Sequence, residues 1–203
     1  MRFTRIATLA LAAAALPVAV SAQAEFEGTI QYQMSMAGMS MDMTQHVKGK
    51  KIRQEMNMGM GAVVTIIDFE SGTMAVLMPG QPVRTMSMDD VRAMAGQQAN
   101  LDGEVDVTAT GNKETVAGHE CEHYIVKQDG QEADICAATG LGFVMASMGT
   151  TPGSGAWDKL QAQFKDGFLP LKMSVSTEQG QATLQAVSVQ RKSLSDDLFK
   201  LDG

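Results

Sequence analysis

Apolar and polar residues alternate with a period of two through the stretch that follows residue 24. The alternation is clear over 31–36 and again over 51–60, whereas 63–69 is a continuous apolar and β-branched run. A period of two is typical of a strand with one buried face, and a continuous apolar run is typical of a central strand. The pattern therefore predicts a meander of antiparallel strands over 25–88.

A short helix and further strands are predicted after this meander. The segment Ser87-Met88-Asp89-Asp90 resembles a helix-capping signal and predicts a helix over 88–98. Trp157, Leu160 and Phe164 fall at helical spacing after a Gly-, Thr- and Ser-rich stretch, 139–155, which predicts a long loop. Further strands are predicted over 105–109, in a hairpin over 114–138, and over 168–176 and 181–192.

The first 24 residues have the layout of a cleavable secretory signal. A short basic start with Arg2 and Arg5 precedes an apolar stretch and the small-residue ending Ala22-Gln23-Ala24. We expect cleavage after Ala24, which leaves 25–203 as a single exported domain, periplasmic or secreted. No later stretch is long enough and apolar enough to predict a transmembrane segment.

Charge and composition narrow the class of partner. The formal net charge of −7 becomes −9 once Arg2 and Arg5 are removed, and no basic run offers a surface to phosphate groups, which disfavours binding to nucleic acid or to anionic lipid headgroups. The chain holds 17 Met against 7 Phe, 2 Tyr and 1 Trp, so methionine supplies much of the apolar volume. The oligomeric state is not predicted by these features.

The only two cysteines, Cys121 and Cys136, predict a disulfide in an exported chain. A two-residue turn at Asp129-Gly130 would set them diagonally, about 7 to 8 Å apart, which is long for a bridge. A four-residue loop over 127–130 would set them directly opposite each other, and this second register is the one that we predict. It places His123 opposite Asp134 beside the bridge and sends Tyr124, Val126, Ala133, Ile135 and Ala137 to the other, core-facing side.

A soft metal site is the alternative at this hairpin. His119, Cys121 and His123 point the same way on one predicted strand and could bind copper or zinc through imidazole and thiolate. The disulfide is favoured, since it closes a loop of a size for which the stabilisation is roughly 3 kcal/mol.

The methionines allow three interpretations. For any one residue, packing in the core is favoured. Collectively, flexible and polarizable thioethers are suited to an apolar ligand such as an acyl chain, and the residues predicted to line such a site are Met34, Met36, Met56, Met58, Met60, Met74 and Met78. Thioethers also select Cu(I), and the residues that could bind this ion are Met34, Met36, Met39, Met41 and Met43.

Enzyme chemistry is not indicated. The chain has no phosphate-binding loop, no GxSxG nucleophile elbow and no HExxH metalloprotease motif, and the two histidines of His119-Glu120-Cys121-Glu122-His123 have other spacing. We therefore predict a non-enzymatic binding module that needs no cofactor.

The order of these features resembles a bacterial family of domains of unknown function, number four-four-one-two. The residues that carry the resemblance are Phe26 to Ile30, Val47 to Lys50 with Arg53, Thr65 to Asp68, Thr115 to Gly118 followed by Glu120, Cys121, Glu122 and Tyr124, then Ile135 with Cys136, and Pro170 to Lys172. They extend over nearly the whole of the predicted mature chain and mark strand starts and turns.

The resemblance implies a fold similar to that of the LolA and LolB type of periplasmic lipoprotein carriers. The fold predicted in this way is α+β, with a curved antiparallel sheet as a half-open barrel and short helices on one side. The function it implies is that of a binding or carrier module whose methionine-lined face takes a hydrophobic small molecule or acyl chain. The alternatives are Cu(I) binding or metal buffering, and an interaction module without a small ligand.

Overall fold

A computed structural model describes residues 26–36, 38–57, 61–98, 105–128, 131–141, 164, 167–177 and 180–200. The predicted signal segment 1–24, most of the predicted loop 139–155, and the predicted helical residues Trp157 and Leu160 lie outside this range. Met58 and Met60 also lie outside it, so their predicted part in a binding site stays a prediction.

The described residues form eleven strands and one α-helix. The strands are β1 (Glu27–Met36), β2 (Met39–Lys48), β3 (Lys51–Asn57), β4 (Ala62–Asp68), β5 (Thr73–Leu77), β6 (Arg84–Ser87), β7 (Val105–Val116), β8 (His119–Gln128), β9 (Gln131–Thr139), β10 (Phe168–Thr177) and β11 (Gly180–Arg191). The helix α1 (Met88–Gln98) confirms the predicted helix, and Ser87 caps it, since its Oγ accepts from the Asp90 backbone N–H at 3.1 Å.

All eleven strands belong to one curved, unclosed antiparallel sheet in the order β6-β5-β4-β3-β2-β1-β11-β10-β9-β8-β7. Neighbours in the sheet are neighbours in sequence except at one place, where β1 pairs with β11. This pairing brings the two ends of the described chain together at the middle of the sheet and confirms the predicted antiparallel architecture. The prediction that short helices cover one side of the sheet stays a prediction. The described helix α1 contacts the edge strand β6.

Strands β1, β2 and β3 have one apolar and one polar face, as the alternation predicts. The first, which we call the methionine face, carries Ile30, Tyr32, Met34 and Met36 on β1 together with the residues opposite them on β2 and β3. At one end of the strands it is fully buried in the main hydrophobic cluster, where Ile30 and Tyr32 have almost no exposed surface. The opposite, polar face carries Gln31, Gln33 and Ser35 on β1, all exposed.

The C-terminal segment packs against the polar face of β2 and β3. Lys48 Nζ donates to the Leu194 carbonyl at 2.8 Å, and Arg53 Nη1 donates to the Leu198 carbonyl at 3.0 Å. A single 3-10 turn, Asp196–Phe199, ends with the buried side chain of Phe199. These contacts fix the end of the described chain on the outside of the sheet and leave the methionine face clear of it.

Candidate functional site

Six methionines lie on one face of the β1–β2 hairpin and its neighbour β3. Directly opposite residues of an antiparallel pair point to the same face. Met34 lies opposite Met41, and Met36 lies opposite Met39. Met43 lies opposite Tyr32 on one side and Met56 on the other. The structure therefore brings together the methionines that the alternation placed on separate strands.

Exposure on the methionine face rises steadily toward the hairpin tip. Met43 is 2% exposed, Met34 and Met41 are half-buried, and Met39, beside the tip, is 60% exposed. Met56, which lies opposite Met43 on β3, is half-buried. The face is thus part of the core at one end of the strands and an accessible apolar surface at the other.

Met74 extends the methionine face toward the sheet edge. Met74 on β5 lies opposite Ile67 on β4 and Met86 on β6, and it packs against the main cluster. Met78 directly follows β5 and is half-buried. Both side chains belong to the surface predicted for an apolar ligand, although β4 separates Met74 from the methionines of β3.

Two glutamines form a polar row across the end of the methionine face that is buried in the core. Gln45 on β2 lies opposite Gln54 on β3, and both are buried among apolar side chains. The Gln54 side-chain N–H donates to the Met43 sulfur. Sequence reasoning missed these glutamines, although each stands at an alternation position that the pattern assigns to the buried face. The Gln54 amide fixes the position of the Met43 thioether.

Tyr32 ties the methionine face to the far half of the sheet. Its hydroxyl donates to the Pro170 carbonyl on β10 at 3.1 Å, and complete burial raises its pKa far above the ordinary tyrosine range. Pro170 lies next to a bulge in β10, where the register shifts before Lys172. The hydroxyl thus satisfies a carbonyl at an irregular point of the ladder.

The disulfide between Cys121 and Cys136 is formed, but the predicted register is wrong. Gln128 lies opposite Gln131, and His123 lies opposite Cys136, so the strands pair in the register of a two-residue connection and the cysteines are diagonal. Their Cα atoms are 5.3 Å apart, less than the diagonal of a flat pair. Strand twist shortens one of the two diagonals, which the estimate for a flat hairpin omitted.

The predicted division of this hairpin into two faces is confirmed, since the two registers differ by two residues and keep every side chain on its face. Tyr124, Val126, Ile135 and Ala137 form a second cluster with Phe168. The bridge lies on the opposite face and packs into the main cluster, with each cysteine at most 2% exposed. Both faces of the hairpin therefore pack against a hydrophobic cluster, the tyrosine side as predicted and the bridge side in addition.

Charged side chains from four strands meet beside the bridge. His123 Nδ1 lies 2.8 Å from the Asp134 carboxylate, and His123 Nε2 lies 3.1 Å from the Glu114 carboxylate. Lys172 Nζ donates to both Glu114 oxygens at 2.9 Å. Neutral imidazole has a single N–H, so both carboxylates accept from His123 only when the ring is protonated. The ammonium of Lys172 holds the pKa of Glu114 below its ordinary value, with a smaller contribution from His123.

The alternative metal set of His119, Cys121 and His123 is not assembled. Within the described residues, the donor atoms that come within 4.8 Å of one another belong to Glu114, His123 and Cys136. Cys136 is bonded to Cys121, so neither cysteine offers a thiolate. This cluster is an ion-pair network on the outside of a closed bridge. Over the described ranges, no helix combines the length and the apolar character needed to span a bilayer.

Several solved structures are similar to this chain at low sequence identity. A structure of PNGF-II is 15% identical, with a TM-score of 0.52, over 86% of this chain and 29% of that protein. The complex of Pseudomonas aeruginosa MucA and MucB is 15% identical, with a TM-score of 0.45, over 87% of this chain and 55% of the matched one. MucB alone is 13% identical, with a TM-score of 0.44, over 89% and 59%. The chain thus spans less than two thirds of the structures that it matches.

No curated protein matches the chain. The model of one protein family, described as a domain of unknown function (DUF4412), matches residues 26–202. This match confirms the resemblance inferred from the strand-start motifs and the cysteine hairpin. The chain belongs to the DUF4412 family.

Proposed function

We propose that this protein is an exported binding module of the carrier type whose methionine face holds an apolar ligand such as an acyl chain. The observation that carries the proposal is the gradient of exposure on that face. The apolar surface of Tyr32 and Met43 is fully buried, and on the side away from the buried glutamines it continues into the half-buried Met34 toward the hairpin tip, with the half-buried Met56 beside it on β3. A ligand that covers the accessible end of the methionine face would bury this apolar surface and continue the hydrophobic core.

The chemistry of this surface is suited to an apolar guest of variable shape. Methionine is unbranched, has three rotatable bonds and carries a polarizable sulfur, so neighbouring thioethers adapt to different apolar contacts. Charged side chains of β1 to β3 lie on the opposite face, where Lys51 lies opposite Asp68 and Arg53 pairs with Glu55 at 2.6 Å. An acyl chain would therefore find apolar atoms on the methionine face, whereas the opposite face is charged and offers it no apolar surface of this kind.

The remaining observations support a carrier in an oxidising compartment. The family resemblance implies a fold similar to that of lipoprotein carriers, and a curved, unclosed sheet is the architecture found. Disulfides persist in exported proteins, and the bridge between Cys121 and Cys136 supports the predicted location outside the cytoplasm. Met74 and Met78 would contact the part of a long ligand that reaches toward the sheet edge.

Titration with a fluorescent fatty acid tests the proposal. We expect saturable binding with an emission change typical of an apolar environment, and at least a tenfold weaker affinity for Met34→Lys, which places a charge on the methionine face. Ser35→Lys is the matched control, because Ser35 is the next residue of the same strand, is exposed and faces the other side. Binding that is absent in the wild type, or equal in both variants, would contradict the proposal.

A further inference from the structure

The tip of the β1–β2 hairpin carries a second, chemically distinct feature of the methionine face. Two thioether pairs face each other across the hairpin there, Met34 with Met41 and Met36 with Met39. The Cβ atoms of directly opposite residues lie about 4.5 to 5.5 Å apart. Each sulfur is two bonds beyond its Cβ, so the two thioethers of a pair can reach one ion held between them.

We propose that the pairs Met34 with Met41 and Met36 with Met39 bind one Cu(I) ion at the tip of the hairpin. Thioether is a soft ligand type that selects Cu(I), whereas carboxylate and carbonyl oxygens favour harder ions. The acidic residue in this half of the hairpin, Asp42, lies opposite Gln33 and thus on the other face. The ion would therefore meet a neutral, all-sulfur environment that offers little to Zn²⁺ or Mg²⁺.

The structure narrows the set of five methionines predicted for this site to four. Met43 is 2% exposed, and its sulfur accepts from the Gln54 side chain. Its thioether is thus engaged in the core and is withdrawn from the tip. The other four are half-buried or exposed, and the 60% exposure of Met39 gives an ion a path from solvent.

This site does not depend on the proposed binding of an apolar ligand, although Met34 and Met36 belong to both. A methionine-to-leucine change separates the two functions, because leucine keeps an apolar side chain of similar volume and removes the sulfur. The copper titration contains no fatty acid and the fatty-acid titration contains no copper, so each result reports on one site alone. Failure of the copper site and failure of the apolar site are thus distinguishable.

Anaerobic titration against a chromophoric Cu(I) chelator tests the site, with ascorbate present to keep copper reduced and the disulfide intact. We expect the wild type to withdraw one equivalent of Cu(I) from the chelator. Met36→Leu/Met39→Leu should bind at least tenfold more weakly, with an unchanged circular dichroism spectrum. The matched control is Met94→Leu, which removes an exposed thioether on α1 far along the chain from the hairpin and should bind as the wild type does.

X-ray absorption at the copper edge supplies the second readout. The proposal predicts a first shell of sulfur scatterers in the wild type. It is overturned by a shell of nitrogen or oxygen, by a wild type that withdraws no copper from the chelator, or by a double variant that binds as tightly as Met94→Leu. Met39→Leu alone, a change at an exposed position, repeats the test if the double variant does not fold.

Discussion

The Lys172 ammonium lies 2.9 Å from both oxygens of the Glu114 carboxylate, although 58 residues separate the two in the chain. The pair joins β7, at the edge of the sheet, to β10 across the two strands of the disulfide hairpin. His123 supplies a further donor to Glu114 from β8 when its ring is protonated. This network fixes the outer surface of the bridge.

Acid should weaken the fold partly through Glu114. Its pKa is lower in the folded protein than its ordinary value of 4.5 because Lys172 stabilises the charged form. A lowered folded-state pKa contributes stability that is fully present above 4.5 and is lost as pH falls through the folded value. We expect Glu114→Gln to show a shallower fall in the free energy of unfolding over this range, measured by urea denaturation at successive pH values.

Glu120→Gln is the control for the acid experiment. Glu120 pairs with Lys113 at 2.8 Å, but the Glu120 side chain is 68% exposed and solvent screens the pair. The free energy of unfolding of Glu120→Gln should therefore depend on pH as that of the wild type does. If Glu114→Gln gives the same slope as the wild type, the network is not a source of acid sensitivity.

Removing the disulfide should lower stability without changing the fold. The double variant Cys121→Ala/Cys136→Ala opens a loop with a sequence separation of 15, for which the chain-entropy model predicts a loss of about 3 kcal/mol. Denaturation of the variant and of the oxidised wild type measures the difference. An unchanged midpoint would mean that the ladder of the β8–β9 hairpin already restrains this loop in the unfolded chain.

Gly28 should tolerate no side chain. A Cβ at this position would lie 2.1 Å from the Gln190 carbonyl oxygen on β11, so Gly28→Ala must push apart the one strand pair that joins the two halves of the sheet. We expect a loss of about 3 kcal/mol or more, at the upper end of overpacking costs. Gly38→Ala, at a turn with φ of +79° and no atom within 4 Å, should cost about 1 to 2 kcal/mol, the cost of a left-handed backbone alone. Equal midpoints for the two variants would contradict this account of Gly28.

Tyr32→Phe should destabilise the protein through a single lost hydrogen bond. The ring stays in the core, but the Pro170 carbonyl loses the donor that lies 3.1 Å away. An unsatisfied buried carbonyl costs about 1 to 3 kcal/mol. The thermal midpoint should fall accordingly, and a midpoint equal to that of the wild type would show that the hydroxyl contributes nothing net.

The local pattern was sufficient to predict most strands and the helix. The alternation over 31–36 lies on β1, the described part of the alternation, 51–57, lies on β3, and the continuous run over 63–69 coincides with β4 inside the sheet. The capping segment before 88–98 predicted α1 correctly. These strands were predictable because burial of one face leaves a period of two in the sequence, and burial of both faces leaves a continuous apolar run.

Contacts between distant elements were not predictable in this way. The pairing of β1 with β11 and the meeting of Glu114 with Lys172 depend on strand order, which a local period does not encode. The hairpin register failed for another reason, since a flat-sheet distance was applied to a twisted pair whose Cα atoms lie 5.3 Å apart. Gln45 and Gln54 were missed because polarity was taken to mean exposure.

Native mass spectrometry of the protein, purified from its exported form without reductant or added ligand, tests the apolar binding face most directly. The account predicts a fraction of the chain with an added mass that matches an acyl lipid, released on activation and absent from Met34→Lys. It also predicts that Ser35→Lys retains the same added mass. A chain that carries no lipid in any preparation and takes up none when incubated with fatty acid would contradict the central claim.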